Sequence, residues 1–167
     1  TITEPSPYTD FVGNAPTRID YYAMYPFSLV NNWESFPDVI LKLPPIQTAT
    51  KGSFANELNA AIGYAKAIDK SMKFKNIFGY IKFTVPDSLR NLVSVTVESI
   101  NSEQISSYCR VTCTDEFPSA RPNATASNSV QLVSDSLMEA GSYYIALIPR
   151  TYKSGLKFTF KNSEGKI

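Results

Sequence analysis

Residues Phe74 to Ile100 read FKNIFGYIKFTVPDSLRNLVSVTVESI. In the first half Ile81, Phe83 and Val85 alternate with Tyr80, Lys82 and Thr84. In the second half Val93, Val95 and Val97 alternate with Ser94, Thr96 and Glu98. A period of two in β-branched and aromatic residues gives an extended chain one apolar and one polar face, as in half-buried strands. Between the halves stands Pro86-Asp87-Ser88-Leu89-Arg90-Asn91. Proline fixes φ there, and Asp and Asn favour turns. The stretch is expected to fold back as two antiparallel strands whose valine and isoleucine face floors a core.

The same alternation recurs outward from this centre. Arg18 to Tyr25 places Ile19, Tyr21, Ala23 and Tyr25 on one face, which predicts core packing for Tyr21 and Tyr25. Val39 to Leu43 is a short apolar strand stopped by Pro44-Pro45, and Ile105 to Cys113 puts Cys109, Val111 and Cys113 on one side. Val130 to Val133 is another short strand. Tyr143 to Ile148 (YYIALI) is apolar at every position, the pattern of a central strand covered on both faces. After a turn at Lys153-Ser154-Gly155, Leu156, Phe158 and Phe160 alternate with Lys157, Thr159 and Lys161. Ser28 to Pro37, Gln47 to Ser53 and Thr114 to Ser129 read as polar connections. Phe54 to Asp69 is ambiguous: Ser53 is a possible cap and Phe54, Leu58, Ala61, Ile62 and Ala65 fit helical spacing, while Gly63 and Tyr64 oppose it. One short helix at most is expected, among about seven strands. That is the pattern of an antiparallel β-sandwich. Residues 1–17 read as an irregular lead-in or edge segment and 18–167 as the sandwich domain. Asn162 to Ile167 resembles a turn entering one more strand, which predicts an open sheet edge or a gap filled by a partner.

Composition bounds the function. The chain has 167 residues and a net charge of +1, with 16 basic and 15 acidic side chains, so no basic field draws nucleic acid. No apolar run approaches the roughly 18 residues of a membrane helix. The chain does not begin with Met and is read as a processed or trimmed segment. Cys109 and Cys113 on one strand face would stand ~13 Å apart, beyond the ~7 Å that a disulfide spans. Two buried thiols are expected.

There is no histidine. A Ser-His-Asp triad, a Cys-His pair and a His-held metal are therefore unavailable. No phosphate-cradling glycine loop is present. Asp87, Glu98, Glu103, Asp115, Glu116 and Asp135 offer carboxylate pairs for glycoside hydrolysis, but as turn and edge charges they are expected to be solvated. No catalytic residue, cofactor or metal is expected. Trp33, near Asn31, Asn32 and Phe36, is a candidate sugar-stacking platform, although a lone Trp more commonly pins its loop to the core.

Several segments, taken in order, resemble the fimbrillin-like proteins of the Bacteroidetes type V pilus system. They are YYAMYPF at Tyr21 to Phe27, LPPIQTATKGSFANE at Leu43 to Glu57, FKNIFGYIKFTV at Phe74 to Val85, VSVTVES at Val93 to Ser99, and GSYYIALIPRTYKSGLKFTFKNSEGK at Gly141 to Lys166. The resemblance implies a transthyretin-like β-sandwich, usually the first of two domains in an exported lipoprotein at the outer membrane surface or in a fimbrium. It implies proteolytic loss of an N-terminal strand and assembly when another fimbrial subunit's strand fills the vacated groove. The second domain and the lipid-attachment Cys of that pattern are not in this sequence, so a membrane tie would run only through a removed anchor. Candidate groove residues are Leu156, Phe158, Phe160, Ile145 and Leu147. A surface module that binds host or microbial glycans through Trp33 is the alternative.

Overall fold

The computed structural model describes residues 20–33, 37–68, 72–89, 91–113 and 118–165. The expected lead-in at 1–17 and Arg18 lie outside them, as does the side chain of Trp33. Among the described residues the chain is all-β. Its strands are β1 (Tyr21–Tyr25), β2 (Val30–Trp33), β3 (Asp38–Leu43), β4 (Ile46–Thr48), β5 (Ala61–Ala65), β6 (Lys73–Asn76) and β7 (Gly79–Val85). They continue with β8 (Leu92–Ser99), β9 (Ser107–Thr112), β10 (Ser119–Pro122), β11 (Ser129–Val133), β12 (Gly141–Leu147) and β13 (Leu156–Asn162). The only helical turns described are two 3-10 pieces, Phe27–Leu29 and Asn56–Leu58.

Thirteen short strands replace the expected seven or so because several polar connections also pair. Val30–Trp33, read as loop, pairs with β3; Ile46–Thr48, with Gln47 and Thr48 read as turn, runs parallel to β11; Ser119–Pro122, read as loop, pairs with β9. The β4–β11 pair also departs from the all-antiparallel expectation. Over residues 54–68 no α-helix forms; the only helical piece described there is the 3-10 turn Asn56–Leu58. Instead β5 sits between β1 and β6 in a three-stranded sheet. Ala61, Gly63 and Ala65 share one face there, while Ile62 and Tyr64 take the other face and pack on the core. Small residues at alternate positions mimic helical spacing but suit a crowded middle strand.

The organising stretch corrects one expectation. β7 and β8 do not pair with each other. β7 pairs with β12, and β8 lies between β11 and β13. The connection between β7 and β8 thus joins two different sheets and does not close a hairpin. Its apolar faces do meet, across the core: Val85, Val95 and Val97 are buried together, with Ile81 and Phe83 half-buried against them.

Two buried clusters result. The first draws Val39, Leu41 and Leu43 from β3, Cys109 and Val111 from β9, Ile62 from β5 and Phe78 before β7. Both cysteines are buried in it outside any disulfide, and burial pushes the Cys109 thiol up to about 12. The second draws Val95 and Val97 from β8, Val130 and Leu132 from β11, and Tyr143, Ile145 and Leu147 from β12. β12 serves both: Ala146 and the following Ile148 belong to the first cluster. This is the doubly covered strand expected from YYIALI. In β1 the core face is the opposite of the one expected. Tyr22 and Met24 pack inward, whereas Tyr25 is 55% exposed. Tyr22 lies 5.1 Å from the Tyr64 ring, and this contact sets which face of β1 turns in.

Candidate functional site

The second core is closed on one flank. β12 has β7 on one side, and on the other its backbone groups are taken by local chain. Gly52 N–H donates to Ser142 C=O at 2.7 Å, and Ile148 N–H donates to Ile105 C=O at 2.8 Å. Between them Gln47 acts as a one-residue strand. Its Nε2 donates to Ala146 C=O at 2.9 Å and its Oε1 accepts from Ala146 N–H at 2.9 Å. Gln47 is buried, so these bonds satisfy four polar groups away from water.

On the other flank nothing described plays that part. In an antiparallel pair, residues alternately face and avoid the partner strand. Ser142 and Ala146 turn away from β7, so their opposite numbers Thr84 and Tyr80, with Lys82 between, also turn outward. On β13, Gly155 C=O accepts from Ile100 N–H, which sets Lys157, Thr159 and Lys161 toward β8 and Leu156, Phe158 and Phe160 outward. No strand among the described residues pairs with the outer side of β7 or of β13.

These two open edges lie on the same flank. Gln47 and Gly52 hold β12 near β4, the far border of the β13-β8-β11-β4 sheet. At the opposite border Phe83 of β7 meets Phe160 of β13 edge-on at 6.2 Å. Phe83 also stacks with Tyr143 at 6.0 Å, and Phe160 with Phe158 at 6.5 Å. Burial follows this geometry. Val95, Val97, Leu132 and Ile145 are 0% exposed, while Ile81, Phe83, Leu156, Phe158 and Phe160 are only half-buried. An aromatic row therefore shows at the side of the core, between two lips of outward-turned N–H and C=O groups. Such a cleft can accept an extended peptide: main-chain bonds along a lip and apolar side chains alternately into the opening.

Of the expected groove residues, Leu156, Phe158 and Phe160 stand at the opening; Ile145 and Leu147 lie deeper in the same core. Sequence reasoning missed Ile81 and Phe83 as the facing wall, although their alternation was visible, because nothing local said that β7 would cross over β13. Gln47 was missed altogether; a lone Gln in a polar stretch carries no signal. The Trp33 backbone pairs with Val39 in a different sheet, β10-β9-β3-β2.

The base of β13 is clamped by Glu103, which is 8% exposed. Its carboxylate accepts from Ser99 Oγ, from Asn101 Nδ2 at 3.1 Å and from Lys153 N–H at 3.1 Å. The Ser99 hydroxyl, helped by Asn101 and the Lys153 amide, holds the carboxyl at about 2 against the opposing effect of burial. A folded value below the unfolded 4.5 means stability that is present above pH 4.5 and lost as pH falls toward 2. Thermal melts across that window should show a steep acid loss in the native chain. Glu103→Gln should be less stable at pH 7 and flatter below pH 4.5; parallel curves would exclude the clamp. Tyr152, whose hydroxyl donates to Ile148 C=O at 2.6 Å, adds a second tie at the same place.

Among the described residues no three His, Cys, Asp or Glu side chains are grouped to hold a metal ion. Comparison of the chain with protein-family models, with curated proteins and with solved structures finds no match.

Proposed function

We propose that this chain is a non-enzymatic structural or adhesive subunit of a cell-surface fimbria, a transthyretin-like sandwich whose second core is completed by a β-strand from another subunit. The observation that carries this reading is the one-sided core. One flank is sealed by Gln47, Gly52 and Ile105, and on the other the outer sides of two seven-residue strands, along half-buried aromatics, meet no pairing strand among the described residues. A long unpaired edge beside apolar surface is a liability for a protein that stays alone. It is an asset for one that joins others by strand addition. The fimbrillin-like resemblance of the ordered segments points the same way. That resemblance implies a position at the outer membrane surface or in a fimbrium after export.

The test is a panel of extended peptides with alternating apolar side chains, including the termini of neighbouring surface subunits. At a concentration 100 times its Kd, a bound strand stabilises the fold by about 2.7 kcal/mol. In a chain of this length that is a rise in Tm of roughly 5–10 °C. Phe83→Ser or Phe160→Ser should abolish the rise. No rise with any peptide would overturn the proposal.

A further inference from the structure

The outer face of the open β13 lip is charged with one sign. Lys157 and Lys161 flank Thr159 on the face opposite Leu156, Phe158 and Phe160. One carboxylate is near: Glu98, across the pair on β8, is 3.7 Å from Lys157, with both side chains largely in water. Opposite Lys161 stands Ser94, and opposite Thr159 stands Thr96. Among the described residues no carboxylate lies within ion-pair distance of Lys161. The next position out from each lysine, on the side away from β8, is where an added strand would run.

Resting on the strand-addition reading above, we infer that the strand which completes this flank is an extended segment of a partner chain, acidic at two outward positions four residues apart. The spacing follows from the lip. Lys157 and Lys161 stand about 13 Å apart along the strand, and a neighbouring strand places side chains directly opposite them at Cβ separations of about 4.5–5.5 Å. The position facing Thr159 is uncharged. The two positions between, which turn inward, are apolar and lie beside Phe158 and against Phe83. The pattern acidic–apolar–neutral–apolar–acidic is the same read in either direction, so it holds for a parallel or an antiparallel guest. β13 is the pairing edge because three half-buried apolar side chains, Leu156, Phe158 and Phe160, line it, against Ile81 and Phe83 on β7. Edge lysines also serve to repel stray strands, and here the two roles combine: the same charges that refuse a basic or neutral strand admit an acidic one.

Three fluorescent peptides with one apolar scaffold test this by anisotropy, carrying Glu, Thr or Lys at the two outward positions. Cross-strand charge pairs are worth about 0.2–1 kcal/mol each, so the Glu peptide should bind roughly 2- to 30-fold more tightly than the Thr peptide. That margin should shrink in 1 M salt. In the variant Lys157→Glu/Lys161→Glu, whose changes are confined to exposed side chains, the order should invert in favour of the Lys peptide. Equal affinity of the Glu and Thr peptides, or an order unchanged in the variant, would overturn the acidic pattern and leave strand addition standing. Absence of binding by all three would overturn both.

Discussion

Gln47→Leu should cost about 2–6 kcal/mol of folding stability, because it strands two backbone groups at roughly 1–3 kcal/mol each. Leucine is close to glutamine in volume, so little packing is lost. What is lost is the only partner among the described residues on that side for the N–H and C=O of Ala146, a residue that is 0% exposed. In a chain of this length the fall in Tm should be about 4–24 °C. Chemical denaturation of the two proteins measures it directly. Gln47→Glu is an informative companion, since an ionised carboxylate still accepts from Ala146 N–H but faces the carbonyl with no donor. It should be destabilised at pH 7 and partly recover as the carboxyl is protonated. A loss below about 1 kcal/mol for the leucine variant would mean that water reaches this edge. The flank described as sealed would then be open as well.

Ile145→Ala and Ile148→Ala should each cost about 2–5 kcal/mol, the range for large-to-small changes at fully buried sites. Both residues are 0% exposed, yet they serve different clusters: Ile145 the second, Ile148 the first. Because one continuous stretch of chain supplies both, the clusters should unfold together. Each variant is expected to move a single transition to lower denaturant with an unchanged slope, whichever spectroscopic probe is followed. A biphasic transition in Ile148→Ala, with the second core still folded, would show that β12 does not couple the two halves.

Which side chains turn inward was written locally almost everywhere. Ile81, Phe83 and Val85, Val95 and Val97, and Leu156, Phe158 and Phe160 announce their faces by alternation, and YYIALI announces two covered faces by having no polar one. Local pattern fails where two geometries share it. Ala61 to Ala65 meets helical spacing and strand alternation equally, and only its place between β1 and β6 decides. In β1 alternation points to the wrong face, and in the structure Tyr22 turns inward beside Tyr64.

By itself the sequence determined that this is a β protein without histidine chemistry, and, outside β1 and β5, which side chains would form its cores, because alternation and composition are properties of neighbouring residues. Only the tertiary structure decided that β7 and β8 do not form a hairpin, that Gln47 closes one flank, and that among the described residues no strand covers the outer sides of β7 and β13. Pairing joins residues as far apart as Lys82 and Tyr144, and an edge is defined by the strand that does not come to it. Neither fact can be held in a short stretch of chain.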